Sequence, residues 1–104
     1  MTKAPADPSI ESLARGLRLM DVLWESFAVG MTSGEVAKAA KESPSYATRA
    51  LQTLHQSGWV EKVPETERWR PSVRAARRLA AVQRDMDRQD QRLSELRARV
   101  ATPL

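Results

Sequence analysis

Thr32-Ser33-Gly34-Glu35-Val36-Ala37, Ser43-Pro44-Ser45-Tyr46-Ala47-Thr48-Arg49-Ala50-Leu51-Gln52-Thr53-Leu54 and Ser57-Gly58 are two helix starts and a helix stop within 27 residues. Thr32 and Glu35 have the spacing of a capping box, in which the hydroxyl accepts from a free backbone N–H and the carboxylate reaches back to the cap. Ser43 is a hydroxyl N-cap with Pro44 at the first helical position, where the missing proline donor is not needed. Val36, Ala37 and Ala40 make a small inward face on the first helix of the pair, and Ala47, Leu51 and Leu54 make one on the second. Gly58 supplies the left-handed residue on which helices commonly stop.

Upstream, Ile10, Leu13, Leu17, Met20, Leu23, Trp24 and Phe27 recur at three- and four-residue steps. They predict an amphipathic helix capped by Ser9 and ending before Gly30. Downstream the period shortens: Trp59-Val60-Glu61-Lys62-Val63, a polar tip at Pro64-Glu65-Thr66-Glu67, then Arg68-Trp69-Arg70, read as a two-stranded hairpin. Residues 1–8 hold two prolines and few apolar side chains, which predicts a flexible tail. The expected fold is mainly α with a small β-hairpin: a winged helix-turn-helix over residues 9–71, followed by a long C-terminal helix over 72–102.

The helix-turn-helix order has a physical use. Its first helix braces the second, whose outward side is then free to enter a major groove about 12 Å wide. That outward side carries Ser45, Tyr46, Thr48, Arg49, Gln52 and Thr53. Arg49 suits guanine and Gln52 suits adenine through paired hydrogen bonds, while Ser45 and Thr48 fit either base or phosphate. Tyr46 has two readings, a contact to DNA or an aromatic ring packed on the neighbouring helix. For Arg49 the competing reading is a surface ion pair with Glu42. Thr32, Ser33, Thr53, Arg68 and Arg70 are the candidate phosphate contacts, with Glu61, Glu65 and Glu67 opposing contact from the wing tip.

These residues resemble the DNA-binding domain of the IclR family of bacterial regulators. The likeness runs from Ser9 to about Leu79, through Ser9-Ile10-Glu11-Ser12-Leu13-Ala14-Arg15-Gly16-Leu17, the Thr32–Ala37 and Tyr46–Leu54 stretches, Ser57-Gly58-Trp59-Val60-Glu61 and Arg68-Trp69-Arg70. What the resemblance implies is a winged fold and operator binding. Members of that family typically continue into a large effector-binding domain. None is present in these 104 residues, so no small-molecule effector is expected.

From Ala75 the apolar positions alternate in steps of four and three. Leu79, Met86, Leu93 and Val100 form the a positions of a heptad, and Ala75, Val82, Gln89 and Leu96 the d positions. Such a seam predicts self-association into a homodimer, with folding back along Leu13 and Leu17 as the competing reading. In a parallel pair Asp85 would meet Asp90 and Arg92 would meet Arg97, all like charges, whereas an antiparallel pair brings Asp85 toward Arg92.

Composition sets the remaining limits. The chain has 41% apolar and 29% charged residues, ordinary globular values, so one small folded domain is expected. Its net charge of +4 is concentrated at the end, where residues 72–104 carry eight arginines against four acids. Among these, Arg74, Arg77, Arg78 and Arg84 form a basic run. Charge alone therefore does not single out the helix-turn-helix. The absence of cysteine excludes disulfides and thiolate chemistry and fits a reducing cytoplasm. His55 has no companions for a metal site or a catalytic dyad, and no nucleophile, base and orienter gather anywhere, so neither enzyme activity nor a cofactor is expected. Trp24, Trp59 and Trp69 are assigned to the core, not to base stacking. No apolar run is long enough for a signal peptide or a membrane span, which points to a soluble protein of the cytoplasm associated with the nucleoid.

The sum is a sequence-specific regulator of transcription that binds double-stranded DNA as a dimer. Two alternatives stand beside it: a winged-helix adaptor that binds another protein through its coil, and a nonspecific DNA-packing protein.

Overall fold

The structure, a computed structural model, describes residues 8–104. The tail expected over residues 1–8 lies, Pro8 apart, outside the described residues. The element order is α1 (Glu11–Trp24), α2 (Ser33–Ala40), α3 (Pro44–Gln56), β1 (Val60–Lys62), β2 (Trp69–Pro71) and α4 (Val73–Ala101). The chain divides into two compact units, one ending at Ser72 and the other beginning at Val73. Mainly α with one hairpin and a long last helix is the architecture expected from the pattern.

In the first unit, Leu19 and Leu23 of α1, Val36 and Ala37 of α2, Ala47 and Leu51 of α3 and Val60 of β1 are all buried to 3% exposure or less. Three short helices thus share one apolar centre, closed at one edge by the hairpin. The strands pair antiparallel, with Val60 opposite Pro71, Glu61 opposite Arg70 and Lys62 opposite Trp69.

Several expectations need correction. The N-cap of α1 is Ile10, with no side-chain cap, so Ser9 does not perform that role. The Ile10 carbonyl takes the first helical hydrogen bond from Ala14 at 3.1 Å, which starts the helix one residue beyond the hydroxyl. At its other end α1 stops at Trp24, and Phe27 lies in the following turns, stacked on Trp24 with centroids 6.2 Å apart. Only the second half of the apolar stripe is buried: Leu13 and Leu17 are 58% and 60% exposed.

The wing also differs from expectation. Trp59 precedes β1 and is 44% exposed, while its neighbour Val60 is buried. Adjacent residues of an extended chain point to opposite sides, so only one of the two can face the core, and the branched side chain takes the place. The periodicity also gave no sign of a third strip of the wing. Met31 and Trp69 exchange backbone hydrogen bonds of 2.8 and 2.7 Å, forming an isolated bridge beside β2.

The second unit is α4 and the residues after it. At 29 residues it spans about 43 Å. Hydrogen bonds from Gln83 to Asp87, Arg88 to Asp85 and Gln91 to Glu95 brace it along its own surface. Ala75, the first seam position, is buried at 3% exposure, whereas Leu79, Val82, Met86, Leu93, Leu96 and Val100 are between 48% and 79% exposed, so the heptad seam is uncovered from Leu79 onward. Among the described residues no helix is long and apolar enough to cross a membrane.

Candidate nucleic-acid interface

The capping box forms as the spacing predicts: the Thr32 hydroxyl accepts from the Glu35 N–H at 3.2 Å and Glu35 Oε1 accepts from the Thr32 N–H at 2.9 Å. After α2, Lys41 takes a left-handed conformation at φ 57° and turns the chain toward α3. Ser43 then caps α3 by accepting from the Tyr46 N–H at 3.1 Å, with Pro44 opening the helix. The turn between the two helices is therefore set by local chemistry at both ends.

A side-chain clamp holds α3 against α1. Arg15 donates to both carboxylate oxygens of Glu42, at 3.0 and 2.6 Å, and its guanidinium lies 3.8 Å from the centroid of the Tyr46 ring. The Tyr46 hydroxyl donates to the Ser12 carbonyl at 3.4 Å. Tyr46 thus packs toward α1, half-buried, and Glu42, the partner considered for Arg49, belongs to Arg15. Neither the Arg15 clamp nor the placement of Tyr46 has a local signature, because 27 residues separate Arg15 from Glu42.

What remains outward on α3 is a stripe of Ser45, Arg49, Gln52 and Gln56, at steps of four, three and four, all exposed. Gln56 was absent from the expected set, although the helical period from Gln52 points to it. Arg49 has no ion-pair partner among the described residues. Thr48 and Thr53 are exposed but donate their hydroxyl hydrogens to the Pro44 and Arg49 carbonyls at 3.0 Å, so toward a ligand they offer oxygen lone pairs. Arg49 and Thr53 also border a groove floored by Leu13, Gly16, Leu17, Ala50 and Leu54.

The candidate phosphate contacts are engaged inside the domain. Arg68 donates to Glu35 Oε1 at 2.9 Å and to the Gly30 carbonyl at 3.1 Å, tying the wing to the start of α2. Arg70 pairs with Glu61 at 2.8 Å, and Lys62 pairs with Glu67 at 3.0 Å while lying over the Trp69 ring. Thr32 and Ser33 lie at the start of α2 as expected, but the Glu35 carboxylate already occupies the anion position there. His55 faces the Val60 carbonyl at 3.1 Å and meets Trp69 edge-on. Among the described residues no group of histidines and acids has the makings of a metal site.

Two of these carboxylates are acidified by their partners. The Arg15 hydrogen bond holds Glu42 below the ordinary carboxylate range, and the Thr32 backbone N–H, followed by Arg68, does the same for Glu35. A carboxylate with a lowered folded pKa stabilises the fold above its unfolded value and loses that contribution as pH falls through the folded one. The melting temperature should therefore drop as pH falls below the ordinary glutamate value of 4.5. Glu42→Gln should flatten part of that slope in a thermal melt series; an unchanged slope would show that the clamp does not act through ionisation.

Residues 12–64 match the family model of the IclR helix-turn-helix domain. No curated protein matches the chain. Among solved structures, the Zalpha domain of Cyprinid herpesvirus 3 ORF112, described in its binding mode to Z-DNA, superposes with a TM-score of 0.51 at 22% identity, over 62% of this chain and 98% of that one. Two mutants of Lactococcus lactis ZitR align over 92% and 91% of this chain and 66% and 67% of theirs, at 20% and 21% identity with TM-scores of 0.48 and 0.45.

Proposed function

The chain belongs to the IclR helix-turn-helix domain family, and we propose on that basis that it is a sequence-specific regulator of transcription, acting on double-stranded DNA as a homodimer joined through α4. The observation that carries this reading is the exposed stripe Ser45, Arg49, Gln52 and Gln56, on a helix fixed by two caps and the Arg15–Glu42 clamp. Arg49 and Gln52 are the base readers, with Ser45 and Thr48 beside them, while Tyr46 holds the helix against α1. Rigid placement matters because a bidentate hydrogen bond to a base tolerates little error in angle, and a braced helix loses little freedom on binding.

Phosphate contacts at Thr32, Ser33, Thr53, Arg68 and Arg70 must then be exchanged for bonds inside the domain, since the Thr53 proton, the Thr32 N–H and both arginines are already engaged. The regulator has no catalytic role and needs no cofactor. It works in the cytoplasm, associated with the nucleoid.

Selection of bound duplexes from a random pool, followed by titration at fixed salt, tests the reading. A recovered consensus should bind at least about a thousandfold more tightly than random DNA, and log K should fall linearly with log salt. Equal affinity for all duplexes would favour the packing protein. No DNA binding at all would favour the adaptor.

A further inference from the structure

Resting on the homodimer reading, we propose that α4 pairs with α4 of a second copy in antiparallel orientation, in one register whose two-fold axis passes between Asp87 and Arg88. In that register Leu79 packs on Leu96 of the second copy, Val82 on its Leu93 and Met86 on its Gln89, and each contact occurs twice. All six apolar seam positions from Leu79 to Val100 are about half exposed or more in the single chain, and five of them are covered by this pairing.

Charge selects the direction and the register together. In the antiparallel pair the flanking positions face their own kind, so Asp85 meets Arg92 and Gln83 meets Asp90, twice each; the like pair, Arg78 with Arg99, lies at the ends of the rod. Slide one helix by a heptad in one sense and Asp85 meets Asp85 while Arg78 meets Arg92. A slide in the other sense sets Arg92 against Arg92 and Asp90 against Asp90. A parallel pair sets Asp85 against Asp90 and Arg92 against Arg97. Of these four arrangements, only the proposed register keeps like charges away from the middle of the coil.

Gln89, the one polar seam position, has a place in the same register. The two copies of Gln89 lie on either side of the axis, about 4.5 Å apart along the rod, within reach of an amide-to-amide hydrogen bond. A polar residue satisfied in one register alone penalises the others. The pairing also sets where the winged units join the coil. Counted at Val73, the two junctions are about 43 Å apart along the rod, whereas a parallel pair would bring them within about 10 Å of each other.

Because the chain has no cysteine, single thiols placed in the exposed seam report the pairing directly. In the full chain, Leu79→Cys and Leu96→Cys should each remain uncrosslinked under mild oxidation, while a one-to-one mixture of the two should give a disulfide-linked dimer. Arg92→Glu should raise the dimer dissociation constant roughly tenfold in analytical ultracentrifugation, since two attractive flanking contacts become repulsive. Crosslinking of Leu79→Cys or Leu96→Cys alone, or tighter association of Arg92→Glu, means parallel helices and overturns this proposal while leaving the homodimer intact. A monomeric wild-type mass by light scattering, with no crosslink in any mixture, overturns both.

Discussion

Gly30→Ala is expected to destabilise the winged unit by at least about 2 kcal/mol, a loss of roughly 10 °C in melting temperature for a domain of this size. Gly30 has φ +80°, a left-handed conformation that costs any residue with a Cβ about 1–2 kcal/mol. The added carbon would also lie 2.7 Å from Val63 Cγ2 and 2.8 Å from the Trp69 carbonyl oxygen. That carbonyl accepts the Met31 N–H, so relief of the clash must disturb the bridge joining the approach to α2 with the wing. The Gly30 carbonyl in turn accepts from Arg68, which also holds Glu35 of the capping box. One methyl group thus opposes the wing, the bridge and the start of α2 at once.

Gly16→Ala is the matched control. Gly16 lies inside α1, and an added Cβ there meets nothing within 4 Å beyond its chain neighbours and its own helix backbone. Alanine in a helix interior is favoured over glycine by up to about 1 kcal/mol, so this variant should melt higher. Opposite shifts from one chemical change at two glycines, measured in the same thermal melts, separate backbone conformation and space from any general effect of added bulk. A melting temperature for Gly30→Ala within a degree of wild type would show that the bridge does not hold the wing in place.

The features legible in the sequence were those set by neighbours in the chain. The Thr32–Glu35 box, the Ser43 cap with Pro44, the left-handed Gly58 and the hairpin are each written within a few residues, and each forms. What pattern could not supply was anything decided by a distant partner. The apolar period of α1 runs evenly from Ile10 to Phe27, yet tertiary packing buries Leu19 and Leu23 and leaves Leu13 and Leu17 in solvent. Trp59 and Val60 compete for one inward place, and a preference for large aromatic cores chooses the wrong one. The wing arginines show the same limit for charge: a run of bases beside acids does not reveal whether they face a ligand or each other. Here Arg68 and Arg70 both face acids of their own domain, at 2.9 and 2.8 Å.

That distinction between engaged and unengaged arginines leads to the second large effect. Arg49→Ala is expected to weaken binding to the selected DNA site by about 1–3 kcal/mol per half-site, tenfold to more than a hundredfold, while binding to random DNA changes little. Arg49 is exposed and without an ion-pair partner among the described residues, so its loss should leave the stability within about 0.5 kcal/mol of wild type. Arg49→Lys should recover part of the affinity through charge but not the discrimination between bases, because a lysine cannot supply two parallel donors in one plane. Arg68→Ala should behave in the reverse way, lowering stability through Glu35 and the Gly30 carbonyl and affecting specific and random DNA alike. Arg49→Ala binding its selected site as tightly as wild type would remove the base reader from the centre of the exposed stripe, and with it the physical basis for sequence-specific control.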